Sequence, residues 1–154
     1  MFLKKILKSS YFQYRFYSME KKLQSLKPAI IQPKTKHKST IIWLHGLGDS
    51  SDGFEMLMRE IIPEHCKCVI PNAPIRPITL NDGYPMRAWY DIASLNKREE
   101  EDVDGMLESK EILTALVDQE VQHVPSDKII LGGIWNGVYI DLFRIFDGCG
   151  NVYF

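Results

Sequence analysis

Three short apolar runs, each closed off by turn-forming residues, constrain this chain more than anything else in it. They are Thr40–Leu44 (TIIWL), Cys66–Pro71 (CKCVIP) and Lys128–Leu131 (KIIL). Each is too short for a typical helix and nearly continuous in apolar residues, the pattern of strands buried on both faces. A shorter edge strand is predicted at Ala29–Gln32. Between the runs lie segments with helical periodicity. Phe54, Met56, Leu57, Ile61 and Ile62 give one apolar face, with Asp52 placed to cap that helix. From about Asp102 to Gln122 a second amphipathic helix is predicted. Leu113, Leu116, Val117 and Val121 form its apolar side, among Glu108, Lys110, Glu111 and Glu120. Strands alternating with helices predict the α/β class, a mostly parallel sheet with flanking helices. Asn72–Asp91 reads as a long proline-containing connection, and connections of that length usually carry function.

Charge divides the chain unevenly. Of 19 Lys and Arg, ten fall within residues 1–40 against one acid, Glu20; the other 19 of the 20 acidic residues follow position 40. A basic leader thus precedes an acidic body, and an acidic body argues against nucleic-acid binding, which needs a basic surface. Residues 1–18 (MFLKKILKSSYFQYRFYS) combine Lys4, Lys5, Lys8 and Arg15 with no acid. Phe2, Leu3, Ile6 and Leu7 recur at helical spacing. This is the composition of a mitochondrial transit peptide. The alternative is a plain basic extension, with translation from Met19 and a cytoplasmic product. No apolar run approaches the roughly 18 residues of a membrane span, so no transmembrane segment is expected. Three cysteines in 154 residues do not make a disulfide framework.

Several motifs invite chemistry. Gly46-Leu47-Gly48 follows a strand, but a dinucleotide fingerprint needs a glycine where Ser51 stands. His65 with Cys66-Lys67-Cys68 offers a partial metal set. Zinc prefers four ligands at wider cysteine spacing, and cysteines at i and i+2 of a buried strand read as small apolar residues on one face. No metal and no organic cofactor is expected. Leu44-His45-Gly46-Leu47-Gly48-Asp49 has a different logic: glycines after a strand let backbone amides converge on a point where an oxyanion could be held. Its natural partner is a strand, Gly-x-Ser-x-Gly, helix elbow. The strand and both glycines are present in Gly133-Ile134-Trp135-Asn136-Gly137, and Trp135 occupies the serine position.

The segments TIIWLHGLGDSSDGF, VIPNAPIRPITLNDGYPMRAWYDI, ESKEILTALVDQEV and DKIILGG, in that order, resemble the acyl-protein thioesterase and phospholipase/carboxylesterase family of α/β-hydrolases. The resemblance covers roughly residues 38–139. It implies serine-dependent hydrolysis of S-palmitoyl-protein thioesters and of carboxylic or lysophospholipid esters, with an acylated protein or lipid ester as substrate. It further implies oxyanion amides from Leu47 and Asn136. Substrate contacts would come from His45, Gly46, Pro74, Ile75, Thr79, Leu80 and Trp89.

The departures are as specific as the match. The family serine falls on Trp135, and the family's acid and histidine should follow it. All four histidines (His37, His45, His65 and His123) precede it, and after Tyr139 the match dissolves into DLFRIFDGCGNVYF. No catalytic residue is intact. Ser50, Ser51 and Ser126 are the other hydroxyls weighed as nucleophiles, none with a placed base. The expected architecture is therefore an incomplete α/β-hydrolase whose C-terminal strands are missing. Its parts are a leader at 1–18, a basic linker at 19–37, the N-terminal part of the hydrolase domain at 38–147 and a tail at 148–154. The last strand would expose an open apolar edge, a site for self-association. Three readings stay open: an enzyme by ancestry, a non-catalytic binder of acyl chains or proteins, and a non-functional splice or frame product. The clustering of changes after Gly133 favours the last.

Overall fold

The computed structural model describes residues 21–94 and 102–133. Six strands and two long helices organise them: β1 (Ala29–Ile31), β2 (Ser39–Leu44), α1 (Ser51–Ile61), β3 (Cys66–Ile70), β4 (Ile75–Ile78), β5 (Tyr84–Arg87), α2 (Val103–Glu120) and β6 (Ile129–Gly133). The main sheet runs β1-β3-β2-β6. β2 pairs in parallel with both β3 and β6, while β1 lies antiparallel on β3. This is the mostly parallel α/β sheet the apolar runs predict.

Side-chain alternation sorts the sheet into two faces. Ile42 and Leu44 of β2 and Val69 of β3 pack with Ile112, Leu113 and Leu116 of α2. On the opposite face, Cys68 and Ile70 join Ile31 and the α1 residues Phe54 and Met58, with Ile41 and Trp43 beside them. Cys66 and Cys68 are buried free thiols, and burial pushes the Cys68 thiol up to about 12, which keeps it protonated and unreactive.

Several expectations need correction. The described part of residues 19–37 holds the expected edge strand, β1, and more. Residues 21–25 are helical, and Leu23 and Leu26 belong to the core against α2. Asp52 does not cap α1: Ser50 holds the N-cap position with no side-chain bond. The Ser51 amide donates instead to Asn72 Oδ1 at 2.8 Å, reached from beyond the end of β3. The connection 72–91 holds a second, two-stranded sheet. β4 and β5 form an antiparallel hairpin in which Pro77 faces Pro85, closed by a short 3-10 turn at Thr79–Asn81, with Asp82 and Gly83 both at positive φ. Finally, Glu120 is buried rather than on the wet side of α2. Its Oε1 takes the Lys67 ammonium at 2.5 Å and its Oε2 accepts the Thr40 hydroxyl at 2.9 Å. Thr40 spends its only proton there, so His37 Nε2, 2.9 Å away, donates to the Thr40 oxygen.

Candidate functional site

Chain order defines where a ligand would sit. From β2 the chain moves to β3 on one side, then returns through α2 to β6 on the other. Open α/β sheets bind ligands beyond the carboxyl ends of the strands where the order reverses this way. The His45–Ser50 loop leaves β2 at that end.

His45 is fully buried. The Ala73 amide donates to its Nε2 at 3.0 Å, so Nδ1 carries the proton and donates to the Gly46 carbonyl at 2.8 Å. The Trp89 indole N–H donates to the His45 carbonyl at 3.0 Å, and the two rings lie 5.7 Å apart, tilted by 41°. Gly48, at φ 77°, takes a left-handed turn that glycine adopts without strain. Its amide donates to the Arg87 carbonyl at the end of β5, 2.8 Å away. Arg87 in turn donates through Nη1 to the Ala73 carbonyl at 3.1 Å. Asp49 Oδ1 accepts the Ser50 amide at 2.7 Å beside the start of α1, where the helix dipole favours a negative charge.

These contacts separate the expected substrate contacts into two groups. His45 and Trp89 are buried struts that shape the loop, so neither side chain offers surface to a substrate. Gly46 is buried with them. Half-buried Pro74 accepts the Ala88 amide through its carbonyl at 3.0 Å, and the half-buried Leu47 side chain packs on the core. Ile75 and Leu80 are exposed on the hairpin. Thr79 is exposed too, its hydroxyl committed to Asp91 Oδ2 at 2.5 Å. Asn136 and Trp135 lie outside the described residues. Asn72, Arg76 and Arg87 emerge as organising residues that sequence reasoning passed over. The signal for Asn72 was its place immediately after a buried strand, where an Asx side chain readily bonds nearby backbone.

Among the described residues no histidine bonds Ser51, whose hydroxyl points to the Asp52 carboxylate at 3.5 Å. Ser51 is buried and its Oγ accepts from Asn72 Nδ2 at 3.0 Å. His45 has both ring nitrogens committed. Ser126 lies in the turn before β6, at the far end of the sheet. Among the described residues no group of three His, Cys, Asp or Glu could hold a metal ion, and no helix is long and apolar enough to cross a membrane.

The His45 pKa lies below its ordinary value of 6.5, chiefly because burial disfavours the imidazolium. The unfolded chain therefore takes up this proton before the native state does. Stability is held above about pH 6.5 and falls as the pH drops through the depressed native value. Urea denaturation between pH 7 and pH 5 should show that loss. His45→Gln, which keeps an acceptor for the Ala73 amide but cannot titrate, should flatten it.

Comparison with known proteins agrees with this geometry. The phospholipase/carboxylesterase family matches residues 26–146. Acyl-protein thioesterase 1 of Schizosaccharomyces pombe is 41% identical over 120 residues, covering 77% of this chain and 54% of that protein. Acyl-protein thioesterase 1 homolog 1 of Dictyostelium discoideum is 39% identical over 127 residues, covering 79% and 56%. The crystal structure of Zea mays acyl-protein thioesterase 2 superposes with a TM-score of 0.63 at 34% identity, covering 70% of this chain and 45% of that one. The chain thus spans about half the length of the curated relatives it matches. With the family model matching most of the chain and the fold superposing on a solved thioesterase, the chain belongs to the phospholipase/carboxylesterase family of α/β-hydrolases.

Proposed function

We propose that this chain recognises fatty-acylated protein or lipid ester without hydrolysing it. The parent activity, by family, is serine-dependent cleavage of S-acyl thioesters and carboxylic or lysophospholipid esters. Trp135, at the elbow position, leaves no hydroxyl to begin it. The carrying observation is the hairpin beside the strand-end loop. It exposes Ile75, Leu80 and Tyr84 while its β5 end is bonded to Gly48. Exposed apolar side chains next to a family substrate site are a natural seat for an acyl chain. In this reading Leu47 and Asn136 present amides to the ester carbonyl.

The test is titration of the full chain with an S-palmitoyl peptide and with the same peptide unacylated. Saturable binding of the acylated form alone is expected. Ile75→Asp and Leu80→Asp should each weaken it about tenfold or more, since burying such a side chain contributes about 1.5–3 kcal/mol. Equal binding of both peptides would remove the proposal. Two further features belong to the same reading. Residues 1–18 serve as a mitochondrial targeting segment. The β6 edge, whose five residues carry neither proline nor charge, is the place where a second copy would pair.

A further inference from the structure

The hairpin β4–β5 is moored at two points, and they are linked. At the outer mooring, the Arg76 guanidinium, only 15% exposed, sits between two carboxylates from the start of α2. Nη2 donates to Glu108 Oε2 at 3.0 Å, and Nη1 lies 3.7 Å from Asp102 Oδ2. Asp102 is the N-cap of α2: its Oδ1 accepts the Gly105 amide at 2.9 Å and its Oδ2 accepts the Asp91 amide at 2.8 Å. Glu108 Oε1 takes Lys22 Nζ at 2.8 Å. The hairpin, the returning chain at Asp91, the helical residues 21–25 and α2 therefore meet on one ionic cluster. A Cβ at Gly105 would collide with the Asp102 carboxylate and the Arg76 guanidinium, so glycine is what lets the arginine in. Lys22 first, and Arg76 with it, hold the Glu108 carboxyl below its usual range.

At the inner mooring, Arg76 lies directly across the ladder from Met86. Met86 Sδ would be 3.8 Å from a Cβ on Gly48, and the next carbonyl, that of Arg87, accepts the Gly48 amide. One cross-strand pair thus separates the cluster from the strand-end loop.

We propose that Arg76 is a positioning residue for the Gly46–Asp49 loop, holding it through the hairpin rather than by contact. The proposal deepens the acyl-recognition reading and rests on it only for the effect on ligand. The loop effect itself needs no ligand to measure. A purely structural arginine would loosen the hairpin or the whole fold together, with no selective effect at Gly48. Without the guanidinium, the hairpin loses both of its ionic contacts to α2.

The experiment is residue-resolved amide hydrogen exchange by NMR on the full chain and on Arg76→Met, Arg76→Lys and Glu108→Gln. In Arg76→Met the Gly48 amide should exchange about tenfold faster, with the β2 and β3 amides unchanged, as a local opening requires. Arg76→Lys, which keeps the charge but not the fork, should restore part of the protection. Glu108→Gln should reproduce the pattern at smaller amplitude, and it serves in place of Arg76→Met should that variant not fold. Unchanged Gly48 exchange in a variant whose hairpin has loosened would overturn the proposal. A uniform rise across β2 and β3 would overturn it too. Loss of palmitoyl-peptide discrimination in the parent chain, with this exchange pattern intact, would sink acyl recognition and leave the positioning role standing.

Discussion

Incubated with a fluorophosphonate probe, this chain is expected to remain unlabelled. It should turn over a long-chain thioester on the order of 10⁶-fold more slowly than a serine-bearing relative. The indole of Trp135 offers no atom that a base could activate for acyl transfer. Among the described residues, the histidine of the strand-end loop is not available as a base. His45 is locked as a neutral imidazole between Ala73 and Gly46, and protonating it is opposed by burial. Ser51 is already bonded to Asn72. Whatever rate persists would come from binding and oxyanion contacts, which alone give roughly 10³–10⁴ over water in serine hydrolases. Stoichiometric labelling, with the modified residue mapped by mass spectrometry, would show that another hydroxyl has taken over.

The second large effect is on stability, at the opposite end of the sheet. Glu120→Ala should cost about 3–5 kcal/mol, the usual penalty for removing one member of a buried ion pair. The side chains of Lys67 and Glu120 are only 16% and 6% exposed, so the stranded ammonium has little water to turn to. The Thr40 hydroxyl, fully buried, loses its acceptor at the same time. Such a loss is a large part of the whole stability of an ordinary domain and should appear as a lower urea midpoint at pH 7. Replacing both partners, as Lys67→Met with Glu120→Leu, should recover most of it, because well-packed apolar substitutes avoid the desolvation cost. If the single and double variants lose the same amount, the penalty lies elsewhere.

The sheet was legible because buried parallel strands leave a nearly unambiguous imprint. Thr40–Leu44 and Cys66–Pro71 needed no partner to be recognised. The strand-end loop was legible as a turn because glycines follow that strand at once, although the same glycines also invite a dinucleotide reading. Glu120 was not. It falls seven residues after Leu113 and four after Leu116, squarely on the buried stripe. A charge there reads as solvent-facing until its partner is known, and that partner, Lys67, is 53 residues away. That His45 and Trp89 are buried struts was not legible in the sequence. Their commitments to Ala73, Gly46 and a backbone carbonyl are tertiary facts. The hairpin was missed through Pro77 and Pro85, since prolines argue against strands. Asp82-Gly83, a strong turn signal between the two runs, pointed the other way.

That pair of facing prolines has a consequence for solubility. A hairpin that displays isoleucine and tyrosine to water would ordinarily invite neighbouring molecules to stack on through their main chains. Each of these strands has a missing donor at its midpoint, so neither offers an unbroken row of amides for a stranger to copy. The hairpin can stay greasy to side chains while remaining a poor seed for fibrils.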